Sequence, residues 1–269
     1  MEFLKEKNRF RLCYEDNNSG GNIQPILFLH GAGGNHLSWW QQVPSFVNEY
    51  RCITVDQRGF GKSLDVPDGP GPKALAGDTL ALLDHLGLGR VAIVAQSMGG
   101  WAAVGAAAQQ PKRFRAIVLA NTHGGLSDPE IAALNHKLKR AREEGSTVLQ
   151  QGADLIKGAL GVTFQKSDPT RTFLYAQLRG LNEPLTNDIR NLLDNMTTPV
   201  EQYSACGIPT LFITSEEDIL IRSELLKLLQ SKVPGSRLLC IPKAGHSVYF
   251  EQPELFNGEI KAFLASIKK

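Results

Sequence analysis

The chain has 269 residues and 29 Lys and Arg against 27 Asp and Glu, a formal charge of +2. Hydrophobic residues make up 42 % and charged residues 21 %. That mix can bury a sizeable core and excludes a wholly disordered chain, while the near balance of charge argues against a protein built to coat nucleic acid or an anionic membrane surface.

In chain order, Arg9–Glu15 alternates Phe10, Leu12 and Tyr14 with polar residues, the pattern of a strand with one wet face. Pro25–His30, Arg51–Asp56, Val91–Gln96 and Ala116–Asn121 are short, continuously apolar runs, which predicts strands covered on both faces and hence a parallel sheet. Helical patterns fall between them, over Leu75–Leu86 and over Met98–Gln110, the second stopped by Pro111. From Gly124 to about Ala205 no strand is predicted. Helical patterns such as Asp128–Glu144 are punctuated there by Gly145, Gly152, Gly158, Gly161, Pro169, Pro184 and Pro199. Lys137, Lys139, Arg140 and Arg142 read as the solvated side of that helix, with steering of anionic ligands as the alternative. Strand Pro209–Thr214, helix Ser223–Val233, strand Arg237–Ile241 and helix Pro253–Ile267 then resume the rhythm. The whole reads as a doubly wound α/β domain, residues 1–123 and 206–269, interrupted by a helical insertion, 124–205, too long for a plain loop.

Met1 to Lys7 contain no apolar leader segment, and the most apolar stretches, such as Trp101–Ala108, fall short of the roughly 20 residues a membrane span needs. A cytoplasmic, reduced protein is the expectation. Cys13, Cys52, Cys206 and Cys240 form no Cys-x-x-Cys pair and no Cys/His cluster, so no zinc site is expected, and Cys52 and Cys240 read as small buried hydrophobes.

Four segments carry chemistry. Ala95-Gln96-Ser97-Met98-Gly99-Gly100 follows one predicted strand and opens one predicted helix, the setting of a serine on a sharp strand-to-helix turn flanked by small residues. A Ser N-cap with glycines for close packing is the alternative. His30-Gly31-Ala32-Gly33-Gly34 puts glycines at a strand's carboxyl end, where backbone N–H groups can face a ligand. The Ala32 and Met98 N–H groups are the expected pair of oxyanion donors. A nucleotide loop is disfavoured: Gly31 to His36 lacks the third glycine of Gly-x-Gly-x-x-Gly, and Gly61-Lys62-Ser63 has Asp56 where a P-loop needs its first glycine.

A serine needs a neighbouring base, and an imidazole titrates near pH 6.5. Of six histidines, His246 in Ala244-Gly245-His246-Ser247 stands after the last predicted strand, in the order Ser…Asp/Glu…His. His30 reads as a packing or orienting residue, His36, His85 and His136 as bland, and His123, just past a strand end, as a surface-loop residue first and one that could approach the site second. For the acid that orients the imidazole, Ser215-Glu216-Glu217-Asp218 offers three, with Asp218 the choice and Glu217 the reserve. The other position open to an acid in such folds holds Asn121.

Through these residues the chain resembles the α/β-hydrolase fold superfamily, in HGAGG (30–34), DQRGFGKS (56–63), AQSMGG (95–100), SEED (215–218) and AGHSVYFEQPELFN (244–257). The resemblance covers nearly the whole chain except the insertion. It implies a mostly parallel doubly wound sheet, a structural role for Asp56–Ser63, and an inserted helical cap over the site at 124–205. Ser97 stands where haloalkane dehalogenases and epoxide hydrolases carry an aspartate. Ser247 replaces the Trp usual after the histidine in carbon–carbon hydrolases, and Ala32 the Trp usual after His-Gly in haloperoxidase-type esterases.

The reading implied is a serine hydrolase of a carboxylic ester or lactone. Ser97, His246 and Asp218 are catalytic, Ala32 and Met98 hold the oxyanion, and Gly31, Gly33, Trp39, Trp101 and His123 are candidates for substrate binding, with core packing the equal alternative for the two tryptophans. No cofactor or metal is expected. The partner is a small ester-like molecule, with no nucleic acid and no membrane span, and a homodimer stays open. The alternatives are carbon–carbon cleavage of a dienoic ketone and a non-catalytic ligand receptor on the same fold.

Overall fold

The continuous apolar runs become strands because each buries both faces. The computed structural model describes residues 1–5, 11–17, 23–66, 69–149, 156–183 and 188–267. Its strands are β1 (Glu2–Lys5), β2 (Arg11–Asn17), β3 (Pro25–Leu29), β4 (Arg51–Val55), β5 (Val91–Gln96), β6 (Phe114–Ala120), β7 (Leu126–Ser127), β8 (Thr198–Pro199), β9 (Thr210–Ser215) and β10 (Arg237–Ile241). Eight of them form one sheet in the order β1-β2-β4-β3-β5-β6-β9-β10. From β4 to β10 every pairing is parallel, whereas β2 runs antiparallel to β4 and β1 antiparallel to β2.

Successive residues of each central strand feed opposite cores. Leu27, Leu29, Ile93, Ala95, Ile117 and Leu119 meet Leu82, Leu83, Ala102, Ala103, Leu225 and Leu229, on helices Leu75–His85, Gly99–Gln109 and Ser223–Lys232. Ile26, Phe28, Ala92, Val94, Ala116 and Val118 meet Trp39, Phe46, Phe250, Phe256, Ile260 and Phe263 on the other face. Each of the larger side chains is worth roughly 1.5–3 kcal/mol when fully buried, so this two-sided burial fixes both the order and the register of the strands.

The expected strands and flanking helices are present with ends shifted by one or two residues, and Arg9 and Phe10 lie outside the described residues. Three expectations are corrected. The segment between β6 and β9 is mostly helical, yet contains β7 and β8, which pair in parallel at Leu126↔Thr198 and Ser127↔Pro199 and so bring its two ends together. Two-residue strands have no periodicity to read. Gly145 and Gly158 sit inside helices Pro129–Leu149 and Ile156–Ala159 instead of breaking them, whereas Gly161 precedes a helix and Pro169 opens one; Gly152 and Pro184 lie outside the described residues. Cys240 is exposed, not buried, because β10 is the sheet's edge. Cys52 is buried as expected. On helix Pro129–Leu149, Lys139 pairs with Asp194 and Arg140 with Glu144, in keeping with a solvated face. No helix among the described residues is long and apolar enough to cross a membrane.

Candidate active site

Ser97 follows β5 directly, in the left-handed region at φ 49°, a conformation that costs a non-glycine residue on the order of 1 kcal/mol or more. Three hydrogen bonds hold it there. Its N–H donates to Ala120 O at 3.1 Å, its carbonyl accepts from the Gly100 N–H at 2.9 Å as the next helix begins, and the Gln96 amide beside it donates to the His246 carbonyl at 2.9 Å.

His246 lies just past β10. Its Nε2 is 2.9 Å from Ser97 Oγ and its Nδ1 is 2.9 Å from Asp218 Oδ2. Asp218 follows β9 and is 2 % exposed; its Oδ1 accepts the N–H groups of Leu220 and Ile221 at 2.8 and 3.0 Å, while Oδ2 also accepts from Asn121 Nδ2 at 2.8 Å. The three side chains converge because β5, β9 and β10 are parallel and end on one edge of the sheet. An imidazole between a hydroxyl and a buried carboxylate can take the hydroxyl proton while the carboxylate stabilises the imidazolium. The other acids point elsewhere: Glu216 accepts the Lys243 N–H at 3.2 Å, and Glu217 accepts from Thr163.

The glycine loop leaves β3 beneath a buried His30. The His30 ring donates from Nδ1 to Gly31 O at 2.8 Å and accepts the Gln57 N–H on Nε2 at 2.9 Å. Burial pushes this imidazole down to about 4, so the ring is neutral at pH 7 and can accept that bond. Asp56, also buried, accepts the N–H groups of His36 and Lys62 at 2.6 and 2.9 Å and faces His36 Nδ1 at 2.7 Å. It thereby ties the 56–63 turn to the glycine loop. Neither the Ala32 nor the Met98 N–H donates to another group among the described residues, leaving both available to a ligand.

A shallow cleft, open to solvent, is lined by Gly31–Gly34, Ser38, Gln96, Tyr175, Leu178, Arg179, Tyr249 and Phe250. A methyl group on Gly31 would lie 2.9 Å from Ser97 Cβ, so this lining abuts the serine. Of the residues expected to bind substrate, Gly31 and Gly33 line the cleft; Trp39, Trp101 and His123 do not. Trp39 is fully buried between the rings of Phe28 and Tyr249, at 5.2 and 4.8 Å. Trp101 donates to Leu193 O and Met196 O at 2.9 and 3.0 Å and stacks edge-on against buried His123 at 4.6 Å. A large aromatic side chain contributes more by filling a core than by facing water, and nearness in sequence to the glycine loop or the serine did not discriminate between the two.

Three residues of this region carry no role in the sequence reading. Glu251 is 2 % exposed; its Oε2 accepts the N–H groups of Gly161 and Gly245 at 2.9 and 2.8 Å and its Oε1 that of Ser247 at 3.2 Å. Burial lifts this carboxyl to about 7 in spite of the three donors. Tyr175 OH pairs with Ser247 Oγ at 2.7 Å, and Arg179 lies over the glycine loop. An acid at the end of the apolar run Val-Tyr-Phe-Glu was a legible sign for Glu251, since such a group must be paired. Nothing in the loosely patterned helices marks Tyr175 or Arg179.

A parallel sheet with helices on both faces, carrying a serine, a histidine and an aspartate together at its carboxyl edge, defines a protein of the doubly wound α/β class. The chain belongs to the alpha/beta hydrolase fold family, whose model matches residues 24–253. Among its relatives, BpoC of Mycobacterium tuberculosis, provisionally named a non-heme bromoperoxidase, is 28 % identical, covering 96 % of this chain and 98 % of its own. The 3-oxoadipate enol-lactonase 2 of Acinetobacter baylyi is 27 % identical over 89 % and 88 %. A thermophilic esterase structure from Thermogutta terrifontis superposes with a TM-score of 0.78 over the whole of both chains at 24 % identity, a likeness of fold.

Proposed function

We propose that the protein is a serine hydrolase that cleaves a carboxylic ester or lactone of modest size. The observation that carries this reading is the hydrogen-bonded chain Ser97–His246–Asp218, 2.9 Å at both links with the carboxylate buried. Ser97 Oγ attacks the carbonyl carbon as His246 Nε2 takes its proton, and Asp218 stabilises the imidazolium. The Ala32 and Met98 N–H groups form the oxyanion hole; removing one such donor typically costs on the order of 100-fold in kcat. The tetrahedral intermediate collapses to an acyl-enzyme as His246 returns its proton to the leaving alkoxide. Water, deprotonated by the same imidazole, then releases the acid and restores Ser97. No step calls for a metal or cofactor. In this reading residues 1–123 and 206–269 are the catalytic domain and 124–205 are a cap that roofs the site; Tyr175, Leu178 and Arg179 on the cleft wall support that division. The enol-lactonase relative, by its name, acts on a lactone, and a relative of equal identity is named a 2-hydroxy-6-oxononadienedioate hydrolase, so the choice of ester or lactone rests on the site and not on these names.

The test is a panel of nitrophenyl esters, lactones and ring-fission dienoic ketones, with Ser97→Ala as control. Turnover of an ester or lactone that disappears in the variant is expected. Equal turnover by Ser97→Ala overturns the reading, and a dienoic ketone cleaved faster than every ester moves it to carbon–carbon hydrolysis.

A further inference from the structure

The cleft beside Ser97 contains one permanently charged side chain, Arg179, at the end of helix Pro169–Arg179. Among the described residues no carboxylate reaches its guanidinium within 4.0 Å, whereas Arg51, Arg58 and Arg171 all pair with aspartates. Among the described residues its guanidinium makes one hydrogen bond, a long one, Nη1 to Ala32 O at 3.3 Å, and its central carbon lies 5.9 Å from the centre of the Tyr175 ring. Room for it comes from Gly33, at φ +80°: a methyl group there would stand 2.7 Å from Nη2. The cation therefore rests on the glycine loop, on the wall shared with Gly31 and Gln96, both of which abut Ser97.

A guanidinium presents five N–H donors, and among the described residues one finds a protein acceptor. While the cleft is open, water satisfies the others. A substrate that fills the cleft displaces that water, and an uncharged acyl chain would strip the cation of hydration without replacing it. A carboxylate replaces it with two parallel charge-assisted bonds matched to the planar fork.

Resting on the hydrolase reading above, we infer that the substrate is anionic: an ester or lactone carrying a free carboxylate that Arg179 holds while Ser97 attacks the carbonyl. Two measurements separate this assignment from the reading on which it rests. The first is calorimetric binding to Ser97→Ala, comparing monomethyl succinate with methyl butyrate, which differ by a carboxylate in place of a methyl group. The second is kcat/KM of the wild type for the same pair and for the next longer pair, monomethyl glutarate and methyl pentanoate.

The hemiester is expected to bind and turn over about tenfold better or more. Arg179→Gln should collapse that ratio toward one, and Arg179→Lys should keep part of it, since charge survives and the fork does not. A wild-type ratio at or below one for both pairs overturns the proposal, as does an Arg179→Gln variant that slows acid and neutral esters equally. If hemiesters bind in an Arg179-dependent way and no ester or lactone is cleaved, the carboxylate site stands and the hydrolase reading falls. If esters are cleaved without regard to the carboxylate, the reverse holds.

Discussion

Asn121 Nδ2 donates to Asp218 Oδ2 at 2.8 Å, the same oxygen that faces His246 Nδ1 at 2.9 Å. Asn121 also sits at φ 49° with its N–H on Ile213 O at 2.7 Å, so its side chain is aimed by its backbone. The amide thus holds the carboxylate that faces the imidazole. Asn121→Ala should lower kcat for an activated ester by about tenfold, the worth of one buried bond to a charged group. Asn121→Asp should lower it further, because two carboxylates would then share the site. Steady-state kinetics beside circular dichroism of the folded variants checks both; an unchanged kcat in Asn121→Ala contradicts the role.

Glu251 gives a pH signature. Its carboxyl is lifted from 4.5 to about 7, so the fold favours its protonated form. The stability this lends is fully present below pH 4.5 and is lost as the pH rises to 7, by at most about 3 kcal/mol. His30 and His123, pushed down to about 4 by burial, act in the opposite sense over the same range. The Glu251 contribution is therefore read as the difference between wild type and Glu251→Gln. Urea unfolding from pH 4.5 to 7.5 should show the wild-type advantage over the variant shrinking as pH rises. A constant difference contradicts the assignment.

Gly31 tests how closely the glycine loop approaches the serine. A methyl group there would meet Gln96 Oε1 and stand 2.9 Å from Ser97 Cβ. Gly31→Ala should destabilise by about 1–3 kcal/mol, the usual cost of overpacking, and reduce kcat/KM by more than tenfold by displacing the serine. Thermal unfolding and ester kinetics measure the two effects, and near-normal activity would show that the loop yields freely.

The sequence was most legible where one physical demand acts alone. Strands buried on both faces must be continuously apolar, so β3, β5 and β6 were readable almost to their ends, and the serine turn between β5 and its helix followed from small neighbours in a strand-to-helix setting. His246 and Asp218 were readable by their order after late strands, and the structure brings both to Ser97. What escaped depends on partners far along the chain. β1 exists by pairing with β2, and Cys240 is exposed because β10 has one neighbour. Glu251 is held by Gly161, 90 positions away. Sequence proximity leaves Trp39 open between the site and the core, and packing places it in the core. Helices between β6 and β9 contact the core through scattered residues, so Tyr175 and Arg179 gave no periodic signal.

In the proposed mechanism Ser97 is the nucleophile, activated by His246. Intact-mass spectrometry after treatment with a fluorophosphonate tests it most directly. One phosphonyl adduct per chain, mapped to the peptide containing Ser97, absent from Ser97→Ala and formed far more slowly in His246→Ala, is the expected result. A folded wild-type protein that takes up no adduct, or an equal adduct on Ser97→Ala, would contradict the account.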